Sequence, residues 1–207
     1  MAEYRFYDGV PHVSTAEFHQ HRERAPHWEQ AVHQPRLLRA LSFIKDAIEM
    51  VRGEEELDHV NVVDLGCGDG GLVAQVDALD QRVHAYGYDF QRSNAEGWVE
   101  RGVLTNCQQL NFVEDWADVR YGDVYVMTEV LEHLHDPHNA VARCRERGAL
   151  LVASSPHTEH PGSHDECHAW AWDIQGYAEL MRNADYQVAR HETIGMFQVV
   201  LAMPGVD

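Results

Sequence analysis

Positive charge is what this chain has least of: 16 lysines and arginines face 34 aspartates and glutamates over 207 residues, a formal net charge of −18. A protein that tracks a nucleic-acid backbone displaces counterions with a basic face, so this balance argues against a long nucleic acid as substrate. The one local cluster, Arg143, Arg145 and Arg147, reads as a solvated helix end, where cations offset the terminal carbonyls. Cysteine is sparse too. Cys67, Cys107, Cys144 and Cys167 are widely spaced, in a chain that opens on charged and aromatic residues rather than a signal peptide, so a cytoplasmic setting is expected. No run approaches the ~20 apolar residues of a membrane span. Repeats and low-complexity tracts are absent, and with 44% hydrophobic residues one domain is expected.

The chain is organised around Asp64-Leu65-Gly66-Cys67-Gly68-Asp69-Gly70-Gly71, which joins an apolar run, Val60 to Val63, to an amphipathic one, Leu72 to Leu79. This reads as strand, tight glycine turn and helix. Glycines at Gly66, Gly68 and Gly70 let the backbone take positive φ and lie against a ligand, while the next helix offers unpaired N–H groups. Gly66, Gly68 and Gly71 spell G-x-G-x-x-G, and Asp89 lies about twenty residues on, so a nicotinamide or flavin dinucleotide is one reading. Asp64 weighs against it, because its carboxylate would stand beside a pyrophosphate of like charge. A cationic ligand removes that conflict, and S-adenosylmethionine (SAM) carries both an α-amino group and a sulfonium.

Around this turn, strands and helices alternate. Leu37, Leu41, Ile44, Ile48 and Val51 recur at helical spacing between Pro35 and Gly53. A strand over 84–89, a helix over 94–101 stopped by Gly102, and a weak strand over 103–107 follow. Beyond them come a strand over 123–128, a helix over 137–147 and a strand over 149–154. Such alternation predicts an α/β fold, doubly wound on a mostly parallel sheet, with ligands at the strands' C-terminal ends. The last third reads as a helix over 173–183 and a hairpin, 186–193 with 197–203. Residues 1–34, where Ser14 and Glu17 make a capping box for a helix reaching Arg24, form an accessory segment expected to fold over the cleft as a lid. Residues 35–207 form the domain.

Val62-Val63-Asp64-Leu65-Gly66-Cys67-Gly68-Asp69-Gly70 resembles the first motif of class I SAM-dependent methyltransferases. A second stretch, Glu129-Val130-Leu131-Glu132-His133-Leu134-His135-Asp136-Pro137, resembles the end of the fourth strand in small-molecule members of that family, including ubiquinone-biosynthesis O-methyltransferases. Ser154-Ser155-Pro156-His157 resembles their S-x-P-N ending, with His in place of Asn. The resemblance implies a seven-stranded, Rossmann-like sheet completed by the C-terminal antiparallel hairpin, and transfer of a methyl group to an O or N atom of a small molecule. It implies cofactor contacts from Asp64, Gly66, Cys67, Gly68, Asp89, Phe90, Gln109 and Thr128, with Asp89 on the ribose. It places Glu129 beside the methyl and His133 as base or acceptor-orienting group.

Other readings stand beside this one. The i, i+3, i+4 spacing of Glu129, Glu132 and His133 predicts three polar groups on one helical face, and a helix-capping cluster would use the same letters. Enzymes that methylate the terminal ribose of small RNAs share a Glu-x-x-Glu-His stretch and a distant His, matched by Glu129, Glu132, His133 and His168. There a divalent ion activates the hydroxyls, so a metal-dependent RNA ribose 2′-O-methyltransferase is an alternative, as are a nicotinamide-dependent oxidoreductase and a non-catalytic SAM-binding module. His157, His160, His164, Cys167 and His168 invite a zinc reading, yet their spacing matches no finger and a polar loop lining the cleft explains them. Trp170, Trp172 and Tyr177 are core or pocket wall.

Overall fold

A computed structural model describes residues 2–6, 16–54 and 58–205. In chain order the elements are β1 (Glu3–Arg5), α1 (Ala16–Gln20), α2 (Gln34–Glu54), β2 (Val60–Leu65), α3 (Gly71–Asp77), β3 (Val83–Asp89), α4 (Asn94–Glu100) and β4 (Cys107–Gln109). After them come β5 (Val124–Thr128), α5 (Pro137–Glu146), β6 (Leu150–Pro156), β7 (Trp170–Trp172), α6 (Ile174–Asn183), β8 (Tyr186–Ile194) and β9 (Phe197–Pro204). Seven strands form one sheet in the order β4-β3-β2-β5-β6-β9-β8, and β1 pairs separately with β7. Pairings among β2 to β6 are parallel, whereas β9 runs antiparallel to both β6 and β8.

Helices cover both faces of the sheet. On one, α2 buries Leu37, Ala40, Leu41, Phe43, Ile44 and Ala47 against Val62, Val126 and Val199. On the other, Val141 and Cys144 of α5 and Tyr177, Leu180 and Met181 of α6 pack on Val63, Met127 and Leu151. Strands covered on both sides bury residues of both faces, which is why β2, β5 and β6 carry consecutive apolar residues, Val62-Val63, Val124 to Met127 and Leu150 to Ala153, rather than strict alternation. Local chemistry sets the helix starts. Asp136 accepts the Asn139 N–H at 2.9 Å ahead of Pro137, and Asp173 accepts the Gly176 N–H at 2.6 Å. Among the described residues no helix is long and apolar enough to cross a membrane.

Three local expectations are corrected. The weak strand expected over 103–107 starts at Cys107, because Val103 turns into the core and the backbone spends its bonds on turns, Val103 N–H to the Trp98 carbonyl and Cys107 N–H to the Val103 carbonyl. α1 stops at Gln20, short of Arg24; Ser14 of the expected capping box lies outside the described residues. Residues 129–133 form no α-helix. Glu129 has φ 58°, and only Leu131–His133 make a single 3₁₀ turn.

Candidate active site

The glycine turn depends on backbone conformation. Gly66, Gly68 and Gly70 have φ of 78°, 54° and 79°, where a side chain would be strained. At Gly66 a Cβ would also stand 2.5 Å from Val130 Cγ2. Asp89, at the end of β3, ties the turn down: one carboxylate oxygen accepts the Gly68 N–H at 2.9 Å and the other the Gln91 N–H at 2.8 Å. Burial pushes the Asp89 carboxyl up, and these bonds pull it back. Phe90 and Gln109 stand at adjacent strand ends, where Gln109 Nε2 donates to the Phe90 carbonyl at 3.1 Å.

Asp64 is 4% exposed and its Oδ1 has no hydrogen-bond partner. Burial, reinforced by the nearby Asp89 charge and opposed by Arg36, pushes its carboxyl up to about 7. With Arg36, Gly66, Cys67, Gly68 and Thr128 it lines a cavity of about 40 Å³. Space of that order holds roughly one water molecule, not a nucleoside. From the chain segment 22–30, Ala25, His27 and Trp28 complete the lining. An ionic clasp fastens that segment, in which Asp69 Oδ2 receives Arg24 at 3.2 Å and Arg101 at 2.7 Å, while Arg101 also meets Glu29 at 2.8 Å.

Arg36, which sequence reasoning missed, is 1% exposed. Its Nη1 donates to Ser154 Oγ at 3.1 Å, Ser154 donates to Glu129 Oε1 at 3.1 Å, and Arg36 Nε lies 3.9 Å from that same oxygen without a hydrogen bond. Burial pushes the Glu129 carboxyl up, opposed by Arg36 and Ser154. A signal existed in the sequence: Arg36 falls four residues before Ala40 and seven before Phe43, on the face of α2 that is otherwise apolar.

Glu129 and Glu132 therefore diverge instead of sharing a helical face. Glu132 is fully buried, and neither carboxylate oxygen has a partner; burial, with Glu129 adding, pushes its carboxyl well up. His133 Nδ1 lies 3.0 Å from the Cys167 carbonyl, and burial, with His168 and His19 adding, lowers this imidazole to about 3. His168 is 8% exposed, and its Nδ1 meets Glu159 Oε2 at 2.6 Å. Among the described residues, Glu132, His133 and His168 form the group whose candidate ligand atoms lie within 4.8 Å of one another. Of the five residues in the zinc reading only His168 joins it: His157 contacts the Gly195 carbonyl, His160 the Gly162 N–H, and His164 stacks on Phe6. Trp170, Trp172 and Tyr177 are core.

The family model for a methyltransferase domain matches residues 27–199. The chain belongs to the methyltransferase-domain family. A curated relative, the ubiquinone biosynthesis O-methyltransferase of Glaesserella parasuis serovar 5 (strain SH0165), is 28% identical over 131 residues, 55% of this chain and 50% of that protein. The chain thus matches about half the length of this methyltransferase. Among solved structures, an O-methyltransferase family protein from Burkholderia thailandensis shares the fold with TM-score 0.63 and 13% identity, covering 84% of this chain and 56% of that one. An O-methyltransferase from neocarzinostatin biosynthesis, solved with SAM and 2-hydroxy-5-methyl naphthoic acid, gives TM-score 0.54 and 18% identity over 70% and 48%. Both likenesses bear on the fold of this methyltransferase domain.

Proposed function

We propose that the chain transfers the methyl group of SAM to an oxygen or nitrogen atom of a small-molecule acceptor. The observation that carries this reading is Asp64, a buried carboxylate with an unpartnered oxygen at the glycine turn. Such a group calls for a cation, and the α-amino group of SAM supplies one where a dinucleotide phosphate would be repelled. Arg36, which lines the same cavity and whose buried Nε also lacks a hydrogen-bond partner, suits the carboxylate of the same ligand. Asp89 uses one lone pair of each oxygen on the backbone and retains others for ribose hydroxyls.

The reaction needs alignment above all. An acceptor lone pair attacks the methyl carbon, the C–S electron pair passes to sulfur, and the acceptor's proton leaves to a base; positioning accounts for about 7–11 kcal/mol of barrier reduction. His133 is neutral at pH 7, as a proton acceptor must be, although an imidazole lowered to about 3 is a weak base and serves better to orient the acceptor. The residues 22–30 act as the lid of the cofactor cleft and must swing out, since SAM exceeds the present cavity.

Calorimetry with SAM, its demethylated product and NAD tests the reading. SAM and its product should bind with one site per chain and NAD should not; NAD binding more tightly than SAM would falsify the assignment. The curated relative favours a hydroxyl acceptor, and the acidic surface, net charge −18, favours a small one over RNA.

A further inference from the structure

Among the described residues, the Glu132 carboxylate is fully buried with both oxygens unpartnered. It stands in a constellation assembled from two separate segments. Ala169 N–H donates to the Glu132 carbonyl at 2.7 Å and His133 Nδ1 meets the Cys167 carbonyl at 3.0 Å, so the loop that carries His168 is stitched to the turn that carries Glu132 and His133. The His133 and His168 rings then meet edge to face with centroids 4.7 Å apart. The candidate ligand atoms of all three side chains fall within 4.8 Å; ligands bound at ~2.0–2.2 Å stand about 3.3–3.6 Å apart, so binding draws the group together by up to about 1.5 Å. Behind them Glu159 Oε2 holds His168 Nδ1 at 2.6 Å, while Glu159 Oε1 is itself fixed by the Asp165 N–H at 3.0 Å. A carboxylate on the far nitrogen of an imidazole fixes its tautomer and presents Nε2 as a ligand.

We infer that Glu132, His133 and His168 form a three-ligand site for a divalent first-row transition ion, with Glu159 as the positioning residue behind His168 and with Glu129 outside the ligand set. Glu129 is committed elsewhere: its Oε1 accepts Ser154 Oγ at 3.1 Å beside Arg36. That departs from the four-ligand pattern the Glu-x-x-Glu-His letters suggest. Two imidazoles and one carboxylate suit Mn²⁺, Fe²⁺, Co²⁺ or Zn²⁺ better than Mg²⁺ or Ca²⁺, which prefer all-oxygen shells. An ion held there leaves positions open to an acceptor hydroxyl and supplies Lewis acidity to it. The inference rests on the methyltransferase reading only for that use, not for the site.

The test is titration of the full chain, stripped with chelator, with CoCl₂ and MnCl₂, read by calorimetry, Co²⁺ visible absorption and Mn²⁺ paramagnetic resonance, with SAM affinity measured on the same samples. One Co²⁺ or Mn²⁺ per chain is expected, bound at least tenfold more tightly than Mg²⁺. Glu132→Gln and His168→Gln should each weaken it at least a hundredfold, Glu159→Gln by about 10–100-fold, and Glu129→Gln by less than threefold. Thermal melting of each variant identifies those that merely unfold, and Glu159→Asp should recover part of the Glu159→Gln loss. Absence of Co²⁺ and Mn²⁺ binding to a wild type that binds SAM overturns the site and leaves the methyltransferase reading standing. Loss of SAM binding alone sinks that reading and leaves the site. An effect of Glu129→Gln equal to that of Glu132→Gln overturns the three-ligand assignment.

Discussion

Asp64 and Arg36 show what one buried charged residue can do when its partner arrives with a ligand. With its carboxyl pushed up to about 7 by burial, and Asp89 and Arg36 as the charges facing it, Asp64 is about half protonated near neutrality. A cationic amino group binds the ionised form, so SAM affinity should rise from pH 6 toward pH 8, and fall again once the ligand's own amino group loses its proton. Asp64→Asn should weaken binding by ~1.5–3 kcal/mol, the value of a charge-assisted hydrogen bond, and flatten that profile; an unchanged slope in the variant assigns the titration elsewhere. Arg36 is the only cation within hydrogen-bonding geometry of the Ser154–Glu129 pair among the described residues. Arg36→Met should lower unfolding free energy by ~3–5 kcal/mol, because Glu129 is left buried without compensation. Replacing Glu129 by Met as well should restore part of that loss in urea melts, whereas additive losses would mean the two residues do not act together.

At the scale of elements, residues 22–30 form a strap tied by side chains to the loops around the glycine turn. Besides the clasp at Asp69, Gln91 Nε2 donates to the Arg22 and Glu23 carbonyls at 3.3 and 3.1 Å, and Ser93 Oγ donates to the Arg22 carbonyl at 2.8 Å. On the proposed reading, in which these residues gate the cleft, opening and binding are coupled. Glu29→Gln combined with Arg24→Gln should speed both association and dissociation of SAM several-fold in stopped-flow experiments that follow Trp28 fluorescence, with little change in Kd. A slower dissociation, or a change confined to Kd, would show that the strap does not gate the cleft. β1 limits how freely this region can be cut away. Its pairing with β7 and the Glu3 carboxylate on Trp172 Nε1 at 2.8 Å tie the chain start to the core, so truncation of residues 1–34 should lower the melting temperature as well as activity.

For the whole molecule, acidity governs what can approach. At −18 the chain repels polyanions that come within the Debye length of ~8 Å at physiological salt, and filter binding at 0.15 M salt should detect no affinity for a short RNA; tight, salt-sensitive binding would instead revive the RNA-ribose reading. What the sequence alone dictated are features whose physics is local. Glycines at Gly66, Gly68 and Gly70 permit one kind of turn, Asp136-Pro137 and Asp173 start helices, and apolar runs between amphipathic ones become strands of a doubly wound sheet. Those features sufficed for the strand, turn and helix around the glycines and for Asp64 and Asp89 near strand ends. Decisions between distant segments were left to the tertiary structure. The φ of 58° at Glu129 sends its side chain toward Ser154 and Arg36, away from the helical face that spacing suggested, and no nearest-neighbour rule sets that angle. Burial of Arg36 depends on α2 lying over the end of β6. Likewise Glu132 meets His168, and His168 meets Glu159, only because the loop after β6 returns to the turn after β5, a closure set by packing of β7 and α6 against the sheet rather than by anything adjacent in the chain.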